Sequence, residues 1–286
     1  MEALFEEAGF PQGVFQTLFI DTSEVEDVIA STKVRAVTLT GSTGAGSAVG
    51  SLCGKYLKKS VMELGGNNAV MVFPDADMEK ALKDCVEARF QNTGQSCIAG
   101  KRLLLHEAIA RDFLPDLVEQ VGHLICGDPA DPQTYIGVMA REDLAKTLED
   151  QMRTSLEMGA VLECGGQRKG AFFQPTILSK VTCEMPVFRE ETFGPLLAVC
   201  TFSSEQEGLK LAQDSGYGLG VSVFTEDQAR IERLVHLFDE GAVFINSLVK
   251  SDPRLPFGGV RDSGLGRELS IEGIREFVNI KTVYIK

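Results

Sequence analysis

Strand-like and helix-like segments alternate along almost the whole chain, which confines it to the α/β class, with helices covering a mostly parallel sheet. The run Val34-Arg35-Ala36-Val37-Thr38-Leu39-Thr40 is rich in β-branched residues and reads as a buried strand. It leads directly into Gly41-Ser42-Thr43-Gly44-Ala45-Gly46, a turn of small residues, and a helical stretch to about Lys55 follows. Ser60–Leu64 and Ala69–Phe73 read as short extended pieces broken at Gly65-Gly66. The clearest helix comes next. Asp75 and Asp77 offer N-cap oxygens, and Met78, Ala81, Leu82, Cys85, Val86 and Phe90 recur mostly at three- and four-residue intervals on one apolar stripe. Strands are then expected near 102–106, 161–164, 176–178, 196–201, 221–224 and 241–245. Helices are expected near 107–122, 141–158, 205–214 and 226–239, and residues 277–286 end in an alternation that suits an edge strand.

The 286 residues suffice for roughly two domains, and no repeat, low-complexity stretch or flexible linker marks a boundary between them. A net charge of −13 with no basic cluster argues against nucleic acid or an anionic membrane as partner. No apolar run is long enough to span a bilayer. The first ten residues contain no Lys or Arg, so no secretory or mitochondrial leader is expected there, and the cytoplasm is the default location. Seven cysteines lie scattered, with no C-x-x-C pair and no metal-ligand spacing. An odd count without a framework fits a reducing compartment, and no metal site is expected.

Cys97 follows a Gly-Gln-Ser turn just beyond a helix, where backbone N–H groups can face a reacting oxygen. A thiol there is either a nucleophile, given a lowered pKa or a nearby base, or a small buried hydrophobe. The three histidines, His106, His123 and His236, all fall inside or at the boundary of expected elements, so a carboxylate is the better helper for Cys97. Glu63, between apolar residues and two glycines, is either a buried base with a raised pKa or an ion-paired structural residue. The Gly41–Gly46 turn is either an anion site at a helix N-terminus or a tight connection. It is not the G-x-G-x-x-G fingerprint.

Taken together, these pieces resemble the aldehyde dehydrogenase superfamily. Thr40-Gly41-Ser42-Thr43 with Gly46 is similar to that family's phosphate turn, and Met62-Glu63-Leu64-Gly65-Gly66-Asn67 to its general-base motif. Gln91-Asn92-Thr93-Gly94-Gln95-Ser96-Cys97 is similar to its nucleophile motif, 34 residues beyond Glu63, which is the family's usual spacing. Glu190-Glu191-Thr192-Phe193-Gly194-Pro195 is similar to the segment that holds the nicotinamide ribose. Pro256-Phe257-Gly258-Gly259 and Ser263-Gly264-Leu265-Gly266-Arg267-Glu268 match its C-terminal signature.

The resemblance implies a partial Rossmann-type cofactor domain at 1–65, an α/β catalytic domain at 66–265, and a C-terminal segment at 266–286 with an oligomerisation strand. It implies NAD or NADP as cofactor and a small aldehyde as substrate. Cys97 would attack the aldehyde and Glu63 would activate the water that hydrolyses the resulting thioester. Gly41, Ser42 and Gly46 would bind pyrophosphate, while Leu64, Glu191 and Phe193 would position the nicotinamide and its ribose. Ala8–Val14 resembles a segment that family members reach only after a long N-terminal region, so a truncated member is expected, with weak cofactor binding by the chain alone and doubtful oligomerisation. Ser251-Asp252 and Arg267-Glu268-Leu269 are similar to bacterial succinate-semialdehyde dehydrogenases. Gln91, however, stands where one branch of those enzymes carries an arginine for the distal carboxylate, which shifts that task to groups such as the loop Ser247–Arg254. Two rival expectations are a catalytically silent fragment and a cofactor-independent esterase.

Overall fold

The computed structural model describes residues 1–286. Ala36–Thr40 pairs in parallel with Lys59–Glu63, whose other edge takes the short antiparallel strand Gly264–Leu265. The helix Thr43–Lys55 connects the two parallel strands and packs on them. A small core of Ile29, Cys53, Met62 and Leu64 fills the contact. At Gly65-Gly66 the chain leaves this sheet and enters a second one at Asn68–Val72.

The second sheet has seven strands, in the order Val243–Ile245, Val221–Phe224, Asn68–Val72, Gly100–His106, Leu196–Phe202, Thr176–Ser179 and Val161–Cys164. Every neighbouring pair is parallel except the last. Strands covered on both faces carry continuous apolar runs, and Ala69–Val72 and Leu103–Leu105 are such runs. Alternate residues serve opposite faces. Val70, Val72, Leu103 and Leu105 join Phe113 and Leu117 of the helix Glu107–Gly122 in one core. Met71 and Leu104 join Leu148 and Met152 of the helix Glu142–Glu157 in the other. Ser204 caps the helix Glu205–Gln213, accepting from the Glu207 N–H.

Most expected elements form within a residue or two of their expected bounds, and three readings need correction. Only Asp77 caps the helix Met78–Phe90, accepting from the Lys80 N–H at 3.1 Å. Asp75 faces the other way, accepting from Thr225 Oγ1 and from the Glu226 and Asp227 N–H groups while pairing with Arg230. It ties together the loops that leave two adjacent strands. The helix expected near 226–239 is confined to Gln228–Leu234, and the chain beyond it turns so that Phe238 joins Leu234 in the core while Leu237 points to solvent. Residues 277–286 form no strand within this chain, and Ile280, Val283 and Ile285 are exposed. Alternation suits a strand, but the ladder needs an edge to pair with, and no strand of this chain offers one there.

Candidate active site

The turn before Cys97 is held by tertiary contacts against local preference. After the helix Met78–Phe90, Asn92, Thr93 and Gly94 take φ values of 53°, 56° and 68°, three left-handed residues in a row. A β-branched threonine in that region is strained and persists only where its surroundings fix it. Thr93 Oγ1 accepts from the Gly137 N–H at 3.2 Å, Gln95 Oε1 from the Ala140 N–H at 2.8 Å, and Asn92 Nδ2 donates to the Gln95 carbonyl at 2.9 Å. A Cβ at Gly94 would collide with the Gly194 carbonyl oxygen, which the buried Arg89 also binds. Gly94→Ala is therefore expected to cost about 1–3 kcal/mol, visible as a lower denaturant midpoint. An unchanged midpoint would mean that this turn tolerates a side chain.

Cys97 lies partly exposed behind that turn. The thiol pKa is raised overall: burial pushes it up most, Lys101 pulls it down, and Glu63 and Glu191 push it up again. The resemblance gave no role to Lys101, which stands fully buried at the centre of the group. Its Nζ donates to the Ser96 and Cys97 carbonyls at 2.8 and 2.9 Å and pairs with Glu191 Oε1 at 3.1 Å. It also lies 6.0 Å from the centroid of the Phe193 ring. Cys97, Glu191 and Phe193 thus meet around a cation that sequence reasoning missed. The one available signal was two consecutive cations, Lys101-Arg102, inside an otherwise apolar strand. Arg102 is equally buried, donating to the Asn67, Leu211 and Ala212 carbonyls. It locks the turn after Gly66 to the end of the helix Glu205–Gln213.

Glu63 closes its strand only 3% exposed, with no side-chain partner for either carboxylate oxygen and only the Gly259 backbone N–H near enough to act on it. Burial and then the neighbouring Glu268 raise its pKa to about 7, against an opposing pull from Arg267. Gly258 packs against it, where a Cβ would stand 2.8 Å from Oε1. A carboxylate so placed has no ion pair or side-chain hydrogen bond to maintain and shares its proton near neutrality, as a base must. Above pH 7 the ionised base form predominates, so any step that Glu63 drives is expected to speed up through about pH 7 and then level off. The same step in Glu63→Gln should lack that rise. For stability the sign is opposite: the folded state holds this proton more tightly, so Glu63 costs stability as pH rises from 4.5 towards 7.

The remaining expected residues sit beside this group. Gly41 N–H donates to the Glu63 carbonyl at 2.9 Å, which sets the turn at the mouth of the same strand pair. Ser42 caps the helix Thr43–Lys55, accepting from the Ala45 N–H at 3.2 Å. Gly46 has no room for a Cβ because Leu64 packs on it, and the Leu64 N–H donates to the Ser263 carbonyl at 3.0 Å. At Gly65 a Cβ would stand 2.6 Å from Glu191 Oε2 and 2.8 Å from Tyr217. Glu191 Oε1 accepts from the Gly66 N–H at 3.0 Å. The turn Gly41–Gly46 therefore reaches the Cys97 group through Leu64 and Gly65. The first turn of its helix carries no acidic side chain, and open space lies over Gly44. Both features fit a pyrophosphate. Phe193 remains 36% exposed, a face available to a planar ring.

A strand-end carboxylate beside a partly exposed thiol, with a phosphate-type turn adjoining, defines a class. The aldehyde dehydrogenase family model matches residues 1–283, and the chain belongs to that family. It is 44% identical over 284 residues to the Escherichia coli succinate semialdehyde dehydrogenase Sad, covering 98% of this chain and 62% of that protein. It is 43% identical over 281 residues to the NADP(+)-type succinate-semialdehyde dehydrogenase 1 of Mycobacterium ulcerans, covering 97% and 61% respectively. The Streptococcus pyogenes succinic semialdehyde dehydrogenase solved with NADP+ superposes at a TM-score of 0.95 with 37% identity, over 99% of this chain and 63% of that one. The chain spans about three fifths of the length of these relatives. No helix is long and apolar enough to cross a membrane.

Proposed function

We propose that the chain oxidises an aldehyde to a carboxylic acid through a thioester on Cys97, with Glu63 as the base that releases the acid. The observation that carries this reading is Glu63 itself: buried, without a side-chain partner, and with its pKa raised to about 7 within electrostatic reach of Cys97. The Cys97 thiolate adds to the aldehyde carbon, and its own backbone N–H would stabilise the oxygen that becomes negative. A bound NAD or NADP would supply the acceptor for the hydride that leaves that carbon. Glu63 then takes a proton from water, the water attacks the thioester, and the thiol is released with the acid. The first turn of the helix Thr43–Lys55 would hold the pyrophosphate, and Glu191 and Phe193 the nicotinamide side. In this reading residues 1–65 belong to the cofactor domain, 66–265 to the catalytic domain and 266–286 to an arm.

Succinate semialdehyde is the proposed substrate. The relatives named above support it, as does a pocket of about 280 Å³ lined by Phe244, Lys250, Asp252, Leu255 and Phe257 among others. Phe257, in its wall, is followed in the chain by Gly258, which packs against Glu63. Arg254 is paired to Asp252 at 2.6 Å, while Lys250 is in no ion pair and is free to meet a distal carboxylate. Lys250→Ala should raise KM for succinate semialdehyde about tenfold, one charge-assisted hydrogen bond, and leave butanal almost unchanged. Equal effects on both substrates would remove Lys250 from recognition. The reaction is tested by product analysis with succinate semialdehyde and either cofactor. Succinate formed in step with reduced cofactor is expected at cofactor concentrations high enough to offset the weak binding expected of this chain; ester hydrolysis without cofactor reduction would instead favour an esterase.

A further inference from the structure

Lys101 is costly where it stands. Its side chain has no exposure, in a strand whose neighbours Leu103, Leu104 and Leu105 are apolar and equally buried. A buried ammonium is tolerated only when acceptors and a counter-charge compensate for lost water. The compensation here comes from the carbonyls of Ser96 and Cys97 and from Glu191 Oε1. Two of its three partners thus belong to the nucleophile turn, one being the carbonyl of Cys97 itself. We propose that Lys101 is a positioning residue that fixes the Cys97 turn and sets the charge around its sulfur, with Glu191 as the opposing setting.

The charges facing each member are few. Lys101, Glu63 and Glu191 face Cys97; Glu191, Arg89 and Cys97 face Lys101; Arg267 and Glu268 face Glu63. Lys101 favours the thiolate and Glu191 disfavours it, both directly and by neutralising Lys101. A purely structural role for the pair makes a different forecast, since loosening either partner would disturb Cys97 in one common direction. Opposite displacements are specific to charge.

The inference rests on Cys97 as the working thiol, but its test needs no turnover. Alkylation of Cys97 by iodoacetamide, located by peptide mass spectrometry, is followed against pH in the full chain, in Lys101→Met and in Glu191→Gln. The midpoint is expected to rise in Lys101→Met and to fall in Glu191→Gln. At a fixed pH below both midpoints, each unit of displacement changes the thiolate fraction about tenfold. Midpoints that stay put, or that move the same way in both variants, overturn the assignment. If Lys101→Met does not fold, Glu191→Gln decides alone, and absence of the downward shift is fatal. Loss of the dehydrogenase reading would show separately, as turnover surviving in Cys97→Ala with these midpoints still displaced.

Discussion

Replacing Cys97 with alanine is expected to abolish turnover of aldehydes and activated esters, a loss on the order of 10⁴-fold or more, as when a covalent nucleophile is removed. The same change at any of the other six cysteines should leave turnover within a few-fold of the parent. The surroundings of the thiols separate them. Cys53, Cys85 and Cys200 are buried, and burial is the main cause that drives the Cys200 thiol up to about 12 and Cys85, beside Asp84, higher still. Cys126 is exposed, with burial raising its pKa and no cation to offset it, and Cys164 and Cys183 lie away from Glu63 and Lys101. Cys97 and Cys183 are both partly exposed beside a cation, but Glu184 outweighs Arg189 at Cys183, whereas Lys101 outweighs either neighbouring carboxylate at Cys97. Iodoacetamide at neutral pH should therefore modify Cys97 first, and an activated ester should protect it. Faster labelling of Cys53 or Cys85, with no change in total labelling for Cys97→Ala, would move the nucleophile elsewhere.

Glu63→Gln should separate the two halves of the reaction. Acylation of Cys97 needs no base from Glu63 in this mechanism, whereas hydrolysis does, so a burst of one product per chain should precede a steady state slowed about 10²–10⁴-fold. The substitution keeps the volume of the side chain and removes only its charge and titration. It also removes a carboxylate that is costly to ionise in the folded state, so the variant should be more stable than the parent at pH 8. Rapid-quench kinetics with an activated ester reads the burst directly. A variant that turns over at the parent rate with no burst would leave Glu63 as a buried structural group.

The seven-stranded sheet is legible in the sequence because its central strands are covered on both faces and therefore read as apolar runs bounded by polar caps. Glu63 and Cys97 are legible through the residue patterns around them. Lys101 is not, since a lysine at the start of a strand reads as a solvated end until the packing shows it enclosed. Nor does anything local ask Thr93 to be left-handed; its φ of 56° is imposed by Gly137. The tail at 277–286 shows the converse, a strand pattern without an edge to complete it. Asp75 could cap the helix as well as Asp77 by residue type, and only the approach of Thr225 and Arg230 decides between them.

The central claim, that a covalent acyl group passes through Cys97 and leaves with the help of Glu63, is tested most directly by locating that group. The Glu63→Gln chain is mixed with p-nitrophenyl acetate, quenched in acid within one turnover, digested and analysed by mass spectrometry. An acetyl group on the peptide containing Cys97, long-lived in Glu63→Gln and transient in the parent, is the predicted result. Acetyl found on another residue, or lost equally fast from both proteins, would contradict the account.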